Sequence, residues 1–507
     1  MLNVRCDQYL SGDRELAVDG ADSEAAVQRV DVIVIGGGIV GCAILRELTR
    51  YDASVALLEQ RPDVCNATSK ANSAIVHTGF DAPPGTLEGR LLADARDLWP
   101  QVTADLHIPF LQTGAVMIAT TEQEQAAIVD EIVPQAERNG VALVPLTREG
   151  ILDAAPYITD TVCGGVLVEG ESVIDPFWAT RAYCESAIRN GASVRLGHAV
   201  TEIDLGVRSI TVKTNAGTTF ESRMVVNAAG LWADEVARLV GDDSFTITPR
   251  KGQFIVSEND HGIGQIVLPV PSKVSKGILV APIVFGGILL GPTAEDVTDK
   301  GDVSTTVEGF RRIRAGVVKL VPSLSTASSI RQFAGLRAVS STGGYIIETA
   351  PSTSRFLNVA GIRSTGLSAS PAIARHVGQI VRDELALSQC SSFEATLPEF
   401  LSEARPDEGE VVCLCRSITH GEILAALRSS LAPTTLDGLK RRTGVMLGDC
   451  QGNICIPRLI GLVQQHVGRD PWSVNKDMPG SSLVIGRLQT DVAEQLTGRT
   501  SVRGDSY

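Results

Sequence analysis

The chain has 507 residues and a mass of 53.6 kDa, room for about two to four domains of roughly 100–200 residues each. With 44% hydrophobic and 21% charged residues it is a folded chain and not a disordered one, and at 4% aromatics its core must be mostly aliphatic. A net charge of −14 argues against nucleic acid as the default partner, since phosphate binding wants a basic face, whereas a few local Arg or Lys residues still suffice to hold a small anionic substrate.

Residues 1–29 carry Asp and Glu but no apolar signal core, so they read as an N-terminal extension and not as a secretory peptide. No run of 18 apolar residues occurs, and no transmembrane segment is expected. Ten cysteines without an export signal point to a reducing cytoplasm, where clustered cysteines suggest a metal.

The first chemistry-bearing unit begins at Val30–Ile35, a β-branched run with the composition of a buried parallel strand. It enters Gly36-Gly37-Gly38-Ile39-Val40-Gly41, in which Gly36, Gly38 and Gly41 satisfy G-x-G-x-x-G. A helical period follows from Ile39 to Arg50, then a second strand, Ser54–Leu58, that ends in Glu59. The complete unit predicts a dinucleotide site. Gly36 permits the tight turn, Gly38 lets the backbone approach a pyrophosphate, and Gly41 lets the helix pack close to the strand. The helix N-terminus offers N–H groups and a positive dipole end to the phosphates. Glu59 can accept hydrogen bonds from both ribose hydroxyls. Leu45 stands where the fingerprint often has a small residue, which touches helix–sheet packing and not the phosphate site.

An N-terminal site of this kind in a chain of this length favours FAD over NAD. The polar loop Ala67–Gly79 supplies Thr68, Ser69, Asn72 and Ser73 as candidates to line the pyrophosphate and flavin, and His77 follows them. Val225–Asp234 is a strand entering a small-residue turn at Ala229-Gly230. Gly277–Leu290, broken by Pro282 and Gly286-Gly287, reads as two buried strands joined by a turn. Phe356–Ala360 leads into a glycine loop with Gly361, Thr365, Gly366 and Leu367, where N–H groups at a helix start can face the flavin's electron-rich edge.

Ser388–Glu410 is rich in Ser, Glu and Pro, lacks an apolar period, and reads as a linker. Beyond it, Cys413, Cys415, Cys450 and Cys455 form C-x-C-x34-C-x4-C. Two close pairs of thiolates suit a metal or a cluster; zinc is the competing assignment, although zinc ribbons usually use C-x2-C pairs around short strands and C-x-C with a helical insert fits that pattern less well. The inserts His420–Ser430 and Leu436–Thr443 are helix-like, and a third helix is expected from Ile456. The run Lys440-Arg441-Arg442 reads as a solvated helix face, or as a patch that docks an acidic carrier or steadies a reduced cluster.

Together the N-terminal unit, ATSKANSAIVHTGFDA, VVNAAGLWAD and GIRSTGLSASPAIA resemble the D-amino-acid-oxidase-like flavoprotein superfamily from about Val30 to Glu384. The nearest branch is the FAD-dependent glycerol-3-phosphate dehydrogenases, with L-2-hydroxyglutarate dehydrogenases close by. The resemblance implies an α/β and α+β bilobal fold within residues 30–387. A Rossmann-like FAD lobe would come from about 30–110, 170–250 and 330–385, and an antiparallel-sheet substrate lobe from about 111–170 and 251–330. It also implies backbone contact to adenine near Val200. Val412–Leu462 resembles the bacterioferritin-associated ferredoxin domain, which implies a [2Fe–2S] cluster on the four cysteines in a small, mostly helical domain spanning 411–507.

Oxidation of a secondary alcohol needs a base for the hydroxyl proton and a cation for an anionic tail. His77 is the candidate base. The resemblance places Arg337 in the pocket as the phosphate or carboxylate anchor. Lys251, after the turn into the substrate lobe, and Arg363, in the flavin loop, are the other candidates. A flavin beside a one-electron cluster implies a dehydrogenase that feeds an acceptor protein or a quinone. Such an enzyme would be cytoplasmic, or peripheral at the inner face of the membrane through a partner subunit. The expected reaction is oxidation of sn-glycerol 3-phosphate to dihydroxyacetone phosphate. A 2-hydroxy acid or amino acid substrate and a partner-fed electron-transfer role are the alternatives, since one flavin lobe serves them all.

Overall fold

The computed structural model describes residues 27–271, 277–398 and 409–486. Most of the expected N-terminal extension, much of the expected linker and the end of the C-terminal segment lie outside them.

The first sheet has eight strands. Ser193–Leu196, Val55–Glu59, Gln28–Ile35, Thr219–Asn227 and Thr353–Ala360 run parallel, and antiparallel strands flank them. The period-2 alternation of side chains divides the first strand between two cores. Val32 and Val34 face the helices Ile39–Leu48, Pro176–Arg189 and Gly366–Leu385, where Leu45, Ala182 and Val377 complete a fully buried aliphatic layer. Ile33 and Ile35 face the other way, against Val212, Phe220 and Phe356. A near-continuous apolar run is what a parallel strand covered on both faces requires.

The second sheet has nine strands, nearly all antiparallel, and carries the wall opposite the first. Leu279–Pro282 and Ile288–Gly291 form the expected hairpin in its middle, paired from Leu279 with Gly291 to Pro282 with Ile288. One boundary differs from expectation. Arg331–Ser340 pairs antiparallel with Ile247–Ser257 over its full length, so it belongs to this sheet and not to the FAD lobe. Its partner lies some eighty residues earlier, and no local pattern marks so distant a pairing.

The described part of the expected linker is not loose. Ser388 O accepts from Asp52 N at 3.0 Å, Ala395 O from Arg46 Nη2 at 2.9 Å, and Leu397 N donates to Asp105 O at 2.9 Å, so the segment runs along the FAD lobe. The C-terminal unit has its own small core of Val412, Ile423, Leu436, Leu439, Leu459 and Val463. A short hairpin, Val411–Cys413 with Ile418–Thr419, and the helices His420–Leu427, Leu436–Thr443 and Ile456–Val467 enclose it. Thr419 starts the first of these helices with a capping box to Glu422.

Candidate functional site

A cavity of about 770 Å³ opens at the carboxyl ends of the parallel strands, between the two sheets. Gly36, Gly38, Gly41, Glu59, Thr68, Ser69, Asn72, Ser73, Val200, Ala229, Gly230, Gly361, Thr365, Gly366 and Leu367 all line it. Parallel strands end with their helix N-termini and turn backbones on this side, which is why ligands of such sheets collect there.

The three glycines meet different constraints. Gly36 has φ +110°, and a Cβ there would lie 2.4 Å from Ala228 O. At Gly41 a Cβ would lie 1.9 Å from Gly36 O, so the helix can approach the strand only without a side chain. At Gly38 a Cβ would meet only Ser69 Oγ, at 3.3 Å, which leaves the backbone open towards the cavity. No side chain of its own caps the helix, but Ser69 Oγ accepts from Ile39 N at 2.9 Å and ties the polar loop to the glycine turn. Glu59 is buried; its Oε2 accepts from Gly37 N at 2.6 Å and its Oε1 from Arg61 N at 2.7 Å. Burial pushes its carboxyl up, and those N–H groups oppose the shift.

The other loops are equally well anchored. Thr68 Oγ1 donates to Leu336 O at 2.7 Å, and Asn72 bridges Ser69 O and Ala74 N, each at 2.7 Å. In the loop before Gly366–Leu385, Thr365 Oγ1 donates to Glu88 Oε1 at 2.6 Å, and Arg363 pairs with Glu88 Oε2. Glu88 lines the cavity from the first turn of the Thr86-capped helix Leu87–Asp105. The buried donors Asn66 Nδ2 and Arg363 Nε, both on cavity-lining residues, have no partner among the described residues. Unpaired buried donors beside an open glycine turn fit a ligand rich in phosphate and carbonyl oxygens, as FAD is.

The substrate candidates separate. His77 lines the cavity and stacks on Phe80, with ring centroids 5.0 Å apart. Its Nδ1 accepts from Gly79 N at 2.8 Å, so the neutral ring carries its proton on Nε2, 3.3 Å from Asp81 Oδ1. Glu171 Oε1 lies 3.8 Å from Nδ1. Arg337 is half-buried and lines the cavity; among the described residues it has no carboxylate partner, only Thr293 O at 3.4 Å. Gly252 makes room for it, since a Cβ there would lie 2.7 Å from Arg337 Nη2. Burial, and then the charge of Arg250, pull the Arg337 guanidinium down to about 10.

Lys251 is a correction. It does not line the cavity; Nζ pairs with Asp302 Oδ2 at 2.7 Å and lies buried on the far side of its strand. Arg250, opposite Arg337 in the register, takes the cavity side instead, though Asp296 already engages it at 2.6 and 2.9 Å. The sequence reading also passed over Glu88, Asp81 and Glu171. Asp81 was findable at i+4 from His77, whereas Glu88 and Glu171 reach the site only through tertiary packing.

In the C-terminal unit the thiols face each other as two pairs, Cys415 with Cys450 and Cys413 with Cys455. Among the described residues no three metal-ligating side chains are already drawn together. The turn is nonetheless shaped for anionic sulfur. Backbone N–H groups of Ile454, Gly452 and Asn453 hold the Cys450 thiol below its ordinary value, against burial. At Gly448 a Cβ would lie 2.4 Å from Cys415 Cβ, so the two cysteine segments approach closely only over a glycine. Four thiols, two pairs and local N–H donors fit a [2Fe–2S] cluster.

Comparison with known proteins decides the family. The model of the FAD dependent oxidoreductase family matches residues 31–380. The chain belongs to that family. Residues 411–465 match the BFD-like [2Fe-2S] binding domain, so this oxidoreductase is a flavoprotein with FAD and a [2Fe–2S] cluster as cofactors. It is 36% identical to a glycerol 3-phosphate dehydrogenase of Caloramator mitchellensis, over 91% of this chain and 99% of that one. A glycerol 3-phosphate oxidase of Mycoplasma genitalium is 31% identical over 96% of its own length but only 71% of this chain. The oxidoreductase also superposes on the dithionite-reduced L-alpha-glycerophosphate oxidase of Mycoplasma pneumoniae with FAD bound, with a TM-score of 0.70 and 29% identity. That match covers 73% of this chain and all of the other. No described helix is long and apolar enough to cross a membrane.

Proposed function

We propose that this oxidoreductase converts sn-glycerol 3-phosphate to dihydroxyacetone phosphate and delivers the electrons singly, through the cluster, to an external acceptor protein or quinone. The observation that carries the reading is Arg337, a guanidinium on the cavity wall with no carboxylate partner among the described residues, facing the space where an anionic tail would sit. The names of the relatives favour a phosphate on that tail. A 2-hydroxy acid would use the same arginine through its carboxylate.

When bound, FAD supplies a two-electron hydride acceptor and the cluster a one-electron relay. The residues do the rest. The glycine turn, to which the Ser69–Ile39 bond ties the polar loop, would hold the pyrophosphate end, Glu59 the ribose, and the 361–367 loop the flavin. Val200, on the cavity wall, would back the adenine. Arg337 fixes the substrate's anionic end bidentately. His77 is the proton acceptor: Nδ1 takes the substrate hydroxyl's proton by giving up its bond from Gly79 N, while Nε2–H stays directed at Asp81 Oδ1. A ring that gains a proton sits between two carboxylates, Asp81 at Nε2 and Glu171 near Nδ1. Glu88 pins that loop by pairing with Arg363 and accepting from Thr365 Oγ1. Phe80 and Phe254 supply apolar wall that keeps water from the reacting carbon.

Arg337→Met tests the anchor. Loss of a charge-assisted, forked contact of about 2–3 kcal/mol predicts a KM for glycerol 3-phosphate raised roughly 30- to 200-fold, with kcat changed far less and the bound-flavin spectrum retained. An unchanged KM would remove Arg337, and with it the anion-anchoring argument, from the account.

A further inference from the structure

The run Lys440-Arg441-Arg442 is not a solvated helix face. All three residues are at most 7% exposed. Asp63, from the FAD lobe, accepts from Arg441 Nη2 at 2.9 Å and from Arg442 Nη1 and Nη2 at 2.7 and 2.9 Å. Arg442 is held from its own side by Leu431 O and Gly438 O, so its fork cannot swing away. Gly438 seats the helix closely on the carboxylate, since a Cβ there would lie 3.0 Å from Asp63 Oδ2 and from Pro433 Cβ. Around this centre Lys70 Nζ joins Asn66 Oδ1 at 2.7 Å to Asp477 Oδ2 at 3.0 Å, and Thr434 Oγ1 donates to Pro62 O at 3.2 Å.

The segment that receives the C-terminal unit is therefore the segment that walls the cofactor cavity. Asn66, Thr68 and Ser69 line the cavity a few residues beyond Asp63. On the cluster side, Gln451, next to Cys450, accepts from Arg331 Nη1 at 3.1 Å, at the start of the strand that carries Gly335 and Arg337. One buried carboxylate set against two buried guanidiniums makes the docking nearly all-or-none, since removing one partner strands the other's charge out of water.

We propose that Asp63 with Arg441 and Arg442 is a latch that fixes the cluster domain on the flavin-cavity loop. In the redox reading above, on which this rests, the three are positioning residues for electron passage between the two cofactors. Each passage oxidises the reduced flavin by one electron and reduces the cluster by one. The second follows once an external one-electron acceptor has reoxidised the cluster.

The test uses the full-length holoenzyme, rapidly mixed with sn-glycerol 3-phosphate without oxygen. Flavin bleaching and appearance of the reduced-cluster electron-spin signal are followed separately. Asp63→Asn should leave flavin bleaching within about twofold of the wild type and slow cluster reduction at least tenfold. Amide hydrogen exchange should rise in both 61–70 and 436–443. Arg416→Gln, which removes a looser rim pair with Glu258 at 3.7 Å, should leave both phases within twofold. Unchanged cluster reduction in Asp63→Asn, or exchange rising in only one of the two segments, would overturn the latch. Should Asp63→Asn not retain FAD, Arg442→Lys decides by the same two readouts, since it keeps the charge and loses the fork. If the substrate fails to bleach even the wild-type flavin, the functional reading fails by itself. Photoreduction of the flavin then starts the second phase, and the latch is judged on that phase and on exchange.

Discussion

Asp175 caps the helix Pro176–Arg189, accepting from Phe177 N at 2.8 Å and Trp178 N at 3.2 Å. Burial raises its pKa from 3.8 to about 6, and the two N–H groups recover only part of the cost. The folded carboxyl thus holds its proton over a pH range in which the unfolded one has lost it. Stability falls as pH rises from about 4 to about 6, and above that the charged form carries the full penalty, roughly 3 kcal/mol. Asp175→Asn keeps an acceptor oxygen for the cap and removes the titration. Its stability relative to the wild type, read from urea unfolding at pH 4, 5 and 7, should therefore climb with pH; a pH-independent difference would contradict the assignment. Legibility at this scale followed backbone constraint. Gly36 and Gly41 could be placed from sequence because a turn and a close packing contact tolerate nothing else. Lys251 could not, because which face of a strand a residue takes is set by register, and its place after a turn does not show the register. The register with Arg337 shows that Arg250 is the one facing the cavity.

Among the elements, the strand–turn–helix unit of residues 28–48 depends most sharply on one atom. A Cβ on residue 41 would sit 1.9 Å from Gly36 O. Gly41→Ala must push the helix off the strand and tilt its N-terminal N–H groups away from the phosphates. We expect a loss of about 1–3 kcal/mol in unfolding free energy, together with a purified protein depleted in FAD. A full flavin-to-protein ratio with an unchanged unfolding midpoint would show that the contact relaxes at no cost. Elements whose pattern is local, such as this unit and the 279–291 hairpin, could be read from the sequence. Arg331–Ser340 could not, because its sheet is chosen by a partner far away in the chain.

For the molecule as a whole, two cofactor units share one junction. Cys450 lies in the N–H-rich turn opposite Cys415, so Cys450→Ser should abolish the cluster's broad visible absorbance and leave FAD bound. Substrate should still bleach that flavin, while turnover with a one-electron acceptor falls at least tenfold. A cluster spectrum identical to the wild type would place a ligand elsewhere. The facing pairs, Cys415 with Cys450 and Cys413 with Cys455, come from the fold, whereas the crowding of four cysteines near the C-terminus was legible from their spacing. The junction was not, because a basic run on a short helix looks solvated until the buried Asp63, nearly 380 residues earlier, is seen beneath it.

The most direct test of the central claim is an anaerobic visible spectrum of the purified holoenzyme during titration with sn-glycerol 3-phosphate. The account predicts that the flavin band bleaches and the iron–sulfur absorbance falls with it, as electrons pass from substrate to flavin to cluster. Flavin and cluster bands that ignore glycerol 3-phosphate, while a 2-hydroxy acid or an amino acid bleaches them, would contradict it and reassign the substrate.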